Sequence, residues 1–242
     1  MSNKTYLVLI LDAPLQSWGS SSRFDNRTTG SFPTKSGVIG IIAAAMGIDK
    51  HSPDEADRIA PLAQSQLTTI LLPKQVRDRT LPLQSLEDFQ TIGGGYDPVT
   101  QWQNMVRSAD NKTRPNPVIS RRHYLTDARF GIILEGEPAC IQNIATALKN
   151  PVWGMWLGRK ACIPALPVCT GICETRKLAW DLICDTLKLP NRDLTQYDHV
   201  TDVPTTSRDG TAINDYPVAY GAPIGTKHQL RRVQYHYKRH QG

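Results

Sequence analysis

The chain has 242 residues, of which 40% are hydrophobic and 21% charged, and these proportions exclude a wholly disordered protein. Its formal net charge of +6 at pH 7 favours a polyanionic partner such as nucleic acid, although many basic enzymes bind none. No apolar run approaches the ~20 residues that cross a bilayer, and the apolar run at the N terminus is too brief for a signal peptide. We therefore expect a cytoplasmic protein with no membrane partner.

The first 72 residues predict two strands and two helices. The apolar, β-rich run 6–11 indicates a buried strand, and the polar, Ser- and Gly-rich stretch 12–34 indicates a loop. Thr34 or Ser36 can cap the helix that follows, and Gly47 can end it. In chain order the predicted elements are a strand at 6–11, a helix at 35–46, a helix at 52–64 and a strand at 67–72.

Residues 74–120 differ from the rest of the chain. They are rich in proline and basic residues and contain the triplet Gly93-Gly94-Gly95. A stretch of this length without core periodicity is usually functional or disordered. The alternating piece LPLQSLEDFQTI favours a protruding hairpin over disorder.

Patterns typical of regular secondary structure resume after residue 120. The patterns predict a strand at 124–134, a helix at 137–150, a second helix at 174–187 and a strand in the tail at 231–240. The core order is then strand, helix, strand, long insertion, strand, helix and a final strand. That order predicts an α+β fold of the ferredoxin-like class, which RNA-recognition domains share.

The five cysteines predict reduced thiols, because their number is odd and the chain carries no export signal. The spacing of Cys169 and Cys173 could serve zinc, but the sequence offers neither a second pair nor a nearby histidine. Small buried apolar side chains are the preferred interpretation. We expect no metal and no cofactor.

The segment 28–40 resembles a phosphate-binding loop without completing one. Lys35 and Ser36 match the end of the motif G-x-x-x-x-G-K-[ST], but Thr29 and Thr34 stand at its two glycine positions. Nucleotide hydrolysis is therefore disfavoured. The helix start could still offer N–H groups, hydroxyls and Lys35 to one RNA phosphate. The alternative is an ordinary capped helix with a solvated lysine.

Two further segments combine basic and aromatic residues. Arg121 and Arg122 can bind phosphates or stack on bases, and His123 could act as a general base, although no second catalytic partner is evident. In the segment 156–160, an aromatic ring beside a basic pair suits a stacked base next to phosphates. The structural alternative is a charged approach to a strand for the first segment, and a core tryptophan beside a solvated turn for the second. The candidate residues of the second segment are Trp156, Arg159 and Lys160.

Five segments in this order resemble one family, over roughly residues 5–164. They are YLVLILDAPLQSWG, RTTGSFPTKSGVIGIIAAAMGI, DFQTIGGG, RRHYLTDARF and WLGRKACIP, and they closely resemble the CasD family of type I-E CRISPR Cascade complexes. The resemblance implies a single RAMP-type domain over 1–242, with a thumb hairpin within 74–120 and a less defined C-terminal extension at 165–242.

The resemblance also implies a function and partners. Family members bind the 5′ handle of the crRNA, cap the backbone filament of CasC subunits, adjoin the large subunit CasA, and meet target DNA only through the complex. Carried onto this chain, the RNA contacts are expected at Arg23, Arg27, Lys35, Ser36, Arg121, Arg122, His123, Trp156, Arg159 and Lys160. The contacts through Arg23 and Arg27, in the polar loop, are the weaker assignments.

Some relatives of this family in type I-C systems cut precursor crRNA with Tyr, Lys and His. Here the neighbour of His123 is Arg122 rather than a lysine, and an arginine donates a proton poorly. This difference favours a non-catalytic clamp. The alternative is a metal-independent endoribonuclease that processes precursor crRNA, and a purely structural connector is a third possibility.

Overall fold

The computed structural model of the chain describes residues 4–19, 25–76, 79–92, 117–221 and 225–238. Within these ranges thirteen strands, four α-helices and one short 3₁₀ helix (Leu194–Gln196) are assigned. In chain order the strands and α-helices are β1 (Thr5–Asp12), β2 (Leu15–Gln16), β3 (Asn26–Arg27), α1 (Lys35–Ala45), α2 (Glu55–Ala63), β4 (Gln66–Leu71), β5 (Lys74–Val76), β6 (Arg79–Leu81), β7 (Gln84–Ile92), β8 (Val118–Thr126), β9 (Arg129–Gly136), α3 (Pro138–Lys149), β10 (Cys169–Cys173), α4 (Arg176–Leu187), β11 (His199–Val203), β12 (Thr211–Gly221) and β13 (Gly225–His236).

A seven-stranded sheet organises the molecule, in the order β10-β1-β9-β4-β11-β13-β12. The first four of these strands are antiparallel to their neighbours, with Leu9 opposite Ile132 in the β1–β9 pair. The last three strands extend this sheet, because β11 pairs with both β4 and β13. The C-terminal part of the chain therefore continues the same sheet that begins at the N terminus.

Both faces of the sheet are covered by helices, which explains why the first strand is continuously apolar. Leu7, Leu9 and Leu11 pack in the core with α1, α2 and α3, whereas Val8 packs with α4 on the other face. Because successive side chains of a strand point to opposite faces, every position of such a strand must be apolar. This arrangement places α1 and α4 on opposite sides of the sheet.

A smaller sheet lies beside the first and positions part of the candidate site. In it β8 pairs with β2, β7 and β3, and the register of β7 with β8 runs from Gln84 opposite Thr126 to Ile92 opposite Val118. The expected thumb within 74–120 depends chiefly on residues 93–116, which lie outside the described residues. The short pair β5–β6 also belongs to this stretch.

The structure corrects the sequence interpretation at three places. The single strand expected at 124–134 is two strands, β8 and β9, because Asp127 has φ +49° and turns the chain. The outer neighbour of β1 is β10, a strand that the patterns did not predict, and the tail strand expected at 231–240 is part of β13, which pairs with β11 and β12. Residues 188–230, for which the patterns predicted no element, contain β11 and the eleven-residue β12. None of the helices in the described ranges has the length and apolar character of a membrane span.

Candidate nucleic-acid interface

An open cleft of about 400 Å³ brings together segments that are distant in sequence. One wall is formed by α1, another by the loop 153–160, and a third by the paired strands β12 and β13 at Tyr220 and His228. Its lining includes Ser17, Trp18, Thr34, Ser36, Trp156, Arg159, Lys160, Tyr220 and His228. Four of the predicted RNA-contact residues therefore share one concave surface.

The loop that carries three of these residues is fixed against the chain after β2. Gly158 has φ +100°, and a Cβ added there would lie 1.7 Å from the backbone oxygen of Ser17. The backbone N–H of Ser17 donates a hydrogen bond of 3.0 Å to the carbonyl of Leu157. Only glycine combines this backbone angle with so close an approach. The loop is thus held in one position relative to the smaller sheet.

Arg159 joins this loop to two strands of the smaller sheet. Its Nη1 donates a hydrogen bond of 3.1 Å to the carbonyl of His123, and its Nη2 donates one of 2.9 Å to the carbonyl of Arg27. The guanidinium also lies 4.7 Å from the ring centroid of Tyr124. A planar guanidinium can bridge two fixed acceptors in this way. Arg159, which lines the cleft, therefore holds the predicted basic segments together.

Trp156 and Lys160 give the cleft an aromatic surface beside a cation. Trp156 is 39% exposed, and Lys160 Nζ lies 5.9 Å from its ring centroid. A Cβ at Gly154 would come within 2.9 Å of the Trp156 ring, so that glycine gives the indole its space. An exposed ring can stack on a base while the adjacent ammonium binds its phosphate.

The predicted segment 121–123 lies on β8, next to the cleft. Arg121 is exposed, with Nη1 3.2 Å from Glu87 and its guanidinium 5.5 Å from the Phe89 ring. His123 Nε2 lies 3.8 Å from the other oxygen of Glu87. The Nε of Arg122 is buried and has no hydrogen-bond partner among the described residues. A buried N–H without a partner is costly, and an oxygen from a bound ligand would satisfy it.

Arg27 is exposed and lies on β3, directly opposite Arg122 in a parallel pair. The structure thus places Arg27, one of the two weaker assignments, beside the stronger assignments on β8. Arg23 lies outside the described residues, and its expected contact stays a prediction. Ser36 lines the cleft, and its carbonyl accepts a hydrogen bond of 2.6 Å from the hydroxyl of Tyr220.

Lys35 does not occupy the place expected of a phosphate contact. Its side chain is buried, and Nζ lies 2.9 Å from Asp202. Its backbone N–H donates to Asp215 at 2.8 Å, and Arg231 binds both carboxylates. Burial lowers the pKa of the Lys35 ammonium, and the Asp202 carboxylate opposes this fall. The start of α1 is thus capped by Thr34 and by an internal carboxylate, where a phosphate was expected.

The sequence interpretation missed the C-terminal contribution to the cleft. Tyr220 and His228 come from β12 and β13, which the pattern of residues 188–230 did not reveal. The Glu55 carboxylate accepts the backbone N–H groups of Tyr220 and Gly221, which ties the end of β12 to α2. His228 Nε2 is buried and has no hydrogen-bond partner in the part of the chain that the structure describes. The cleft therefore contains an unsatisfied polar atom that a ligand could engage.

The chain is similar to known proteins over most of its length. The family model described as "CRISPR-associated protein (Cas_Cas5)" matches residues 6–240. The curated protein "CRISPR system Cascade subunit CasD" of Escherichia coli (strain K12) is 27% identical over 175 residues, which are 71% of this chain and 72% of that protein.

Two solved structures resemble the whole chain. A chain of a "CRISPR RNA-guided surveillance complex" is 27% identical, with a TM-score of 0.68 over 95% of this chain and 88% of that one. A "Crystal structure of Cas protein" is 26% identical, with a TM-score of 0.58 over 96% and 95%. The resemblance to the CasD family that the five sequence segments predict is confirmed. The chain belongs to the family of CRISPR-associated proteins designated Cas_Cas5.

Proposed function

We propose that this protein is the crRNA-binding subunit of a type I-E Cascade complex, in which it clamps the 5′ handle of the guide without cutting it. The observation that carries the proposal is the position of Arg159, which fastens Arg27 and His123 to the loop of Trp156 and Lys160. Basic and aromatic groups from three segments are thereby brought together at the cleft, whose lining includes Trp156, Arg159 and Lys160. Single-stranded nucleic acid is bound by this combination, through phosphates on cations and bases on rings.

The proposal extends to the architecture. The four strands β10-β1-β9-β4 alternate with α1, α2 and α3 in the β-α-β-β-α-β order, which supports a ferredoxin-like core in a single RAMP-type domain over 1–242. The thumb would extend from the β7–β8 pair within 74–120. Of the extension expected at 165–242, β10 belongs to the core, and the extension itself would follow that strand. The proposed partners are CasC at the end of the filament, CasA, and target DNA through the complex, in the cytoplasm.

We divide the RNA contacts by the chemistry of each residue. Lys160, Arg121, Arg122 and Arg27 are proposed to bind phosphates, and Trp156 to stack on a base. Lys35 is assigned a structural role, because its ammonium and its backbone N–H are both engaged by carboxylates.

The proposal is tested by the salt dependence of binding. The full chain is titrated against a labelled single-stranded guide carrying its 5′ handle, and against a guide with a shuffled handle, between 50 and 300 mM salt. Counterion release predicts that each lost phosphate contact reduces the log–log slope by roughly 0.7. We expect this loss in Lys160→Ala and Arg122→Ala. Lys177→Ala is the control, because Lys177 is an exposed cation on α4, across the sheet from the cleft.

Equal affinity for both handles, together with an unchanged slope in both variants, would overturn the clamp. The endoribonuclease alternative is examined in the same preparation, with precursor transcript in EDTA. Specific cutting that His123→Ala abolishes would establish that alternative in place of a non-catalytic clamp. Retention of the guide in both cation variants would instead favour a structural connector.

A further inference from the structure

A second cleft of about 240 Å³ adjoins the first on the other side of the start of α1. Trp18 and Thr34 line both clefts, so the two are immediate neighbours. The second cleft is further lined by the segment 30–33 and by residues of β12 and β13. A single-stranded nucleic acid that leaves the first cleft over Thr34 would enter the second cleft.

The outer wall of this second cleft is a pair of tyrosines, which we call the tyrosine shelf: Tyr235 and Tyr237. Their rings are nearly parallel, with 8° between the planes and 6.3 Å between the centroids. Tyr235 is 38% exposed and Tyr237 is 72% exposed. A flat aromatic surface of this kind, open to solvent, is available to a planar ligand.

The shelf is anchored from below and at its end. Phe32 meets Tyr235 edge-on at 6.4 Å and packs against the fully buried Phe130 at 6.0 Å. The backbone N–H of Lys238 donates to Asp198 at 2.7 Å and so fixes the chain just beyond Tyr237. A ligand would therefore meet rings whose backbone is already ordered, which reduces the entropic cost of binding.

The charged groups at this cleft are already paired with each other. Arg231 Nε and Nη2 donate to the two oxygens of Asp215 at 2.6 and 2.8 Å, and Nη1 donates to Asp202. The floor of the cleft thus offers no unpaired cation from Arg231 to a phosphate. Its chemistry favours an uncharged planar group over an anion.

We propose that the tyrosine shelf is a second RNA subsite, which takes one nucleobase of the same strand by stacking and binds no phosphate. This inference rests on the proposed function, because the strand reaches the shelf from the first cleft. It adds the C-terminal tail to an interface that the resemblance confined to residues before 165.

The test compares shelf variants of the full chain in binding to the labelled single-stranded guide. Loss of one base–aromatic stack predicts a Kd that rises by about 5- to 150-fold in Tyr237→Ala. The log–log salt slope stays unchanged, in contrast to Lys160→Ala, and Tyr237→Phe retains the affinity because the ring remains. Leu230→Ala is the matched control, since Leu230 is 67% exposed on β13, the strand that carries Tyr235, but lies outside the shelf.

Guides with one abasic nucleotide at successive positions then locate the base. We expect one position at which removing the base abolishes the effect of Tyr237→Ala. An unchanged Kd in Tyr237→Ala, with a loss in Lys160→Ala, would overturn the shelf and leave the clamp standing. An unchanged Kd in both would overturn both. A shelf variant that weakens association with other Cascade subunits, while its RNA affinity is unchanged, would identify a protein contact instead and would also refute the subsite.

Discussion

Replacement of Gly158 by alanine tests whether the loop of the cleft must be held as the structure places it. Gly158 has φ +100°, where a residue with a Cβ is strained. The added methyl group would stand 1.7 Å from the Ser17 oxygen, a backbone atom that cannot rotate away. The loop must therefore withdraw from the chain after β2 and carry Trp156, Arg159 and Lys160 with it.

The expected magnitude follows from two contributions. The strained backbone angle costs about 1–3 kcal/mol, and loss of the hydrogen bond from Ser17 to Leu157 costs about 1 kcal/mol. The sum, about 2–4 kcal/mol, corresponds to a fall in Tm of about 4–16 °C for a chain of this size. RNA affinity should fall as well, because the displaced loop no longer holds its ring and cations at the cleft.

Gly225→Ala separates backbone strain from the steric clash. Gly225 has φ +75°, and a Cβ there would meet nothing within 4 Å. We expect it to lose about 1–2 kcal/mol of stability and to bind RNA normally. Differential scanning calorimetry gives the stabilities, and titration of labelled guide gives the affinities. If Gly158→Ala is no less stable than Gly225→Ala and binds RNA like the unaltered chain, the docking of this loop is not what organises the site.

Three further predictions concern buried charge, the central arginine and pH. Lys35→Met should lower the free energy of unfolding by about 3 kcal/mol, because Asp202 loses one buried partner. The salt slope of RNA binding should stay the same. A smaller slope would show that Lys35 contacts a phosphate after all. Arg159→Lys keeps the charge but cannot bridge both backbone carbonyls, so RNA affinity should fall about 10-fold at constant salt slope, and full affinity would contradict the bridging role. Burial is the main cause of the lowered pKa of His199, whose ring stacks on His236. The folded chain therefore binds fewer protons than the unfolded one, and its stability falls as the pH drops through 6.5 toward the lowered pKa. Urea titrations of His199→Asn should show a smaller loss of stability over this pH range, and a loss equal to that of the unaltered chain would refute the role of His199.

Local patterns predicted most of the elements whose signals are local. The helices expected at 35–46 and 137–150 are α1 and α3 within one residue at each end, because apolar periodicity and capping residues mark them directly. β10 was missed because five residues with a central glycine carry too little pattern. β12 was missed because two of its buried alternate positions are Asp215 and Pro217, residue types that are uncommon inside strands, and because its pairing to β13 contains register shifts.

The residue types of the candidate site were predictable from the sequence, but the contacts between those residues were not. Trp156, Arg159 and Lys160 do lie together, since they are neighbours in one loop. The burial and pairing of Lys35 could not be predicted, because its partners Asp202 and Asp215 lie 167 and 180 residues further along the chain. Arg159 likewise donates hydrogen bonds to backbone carbonyls, and these partners cannot be identified from residue types because every residue has a carbonyl. Which cations are free for RNA is therefore a property of the tertiary structure.

Photocrosslinking of the assembled complex tests the clamp most directly. Guide RNA with 4-thiouridine at single positions is incorporated, irradiated and digested, and the crosslinked peptides of this chain are identified by mass spectrometry. We predict that nucleotides of the 5′ handle crosslink to peptides containing residues 121–124 and 153–160. Crosslinks of these peptides only to the interior or the 3′ end of the guide, or their absence at every position, would contradict the account.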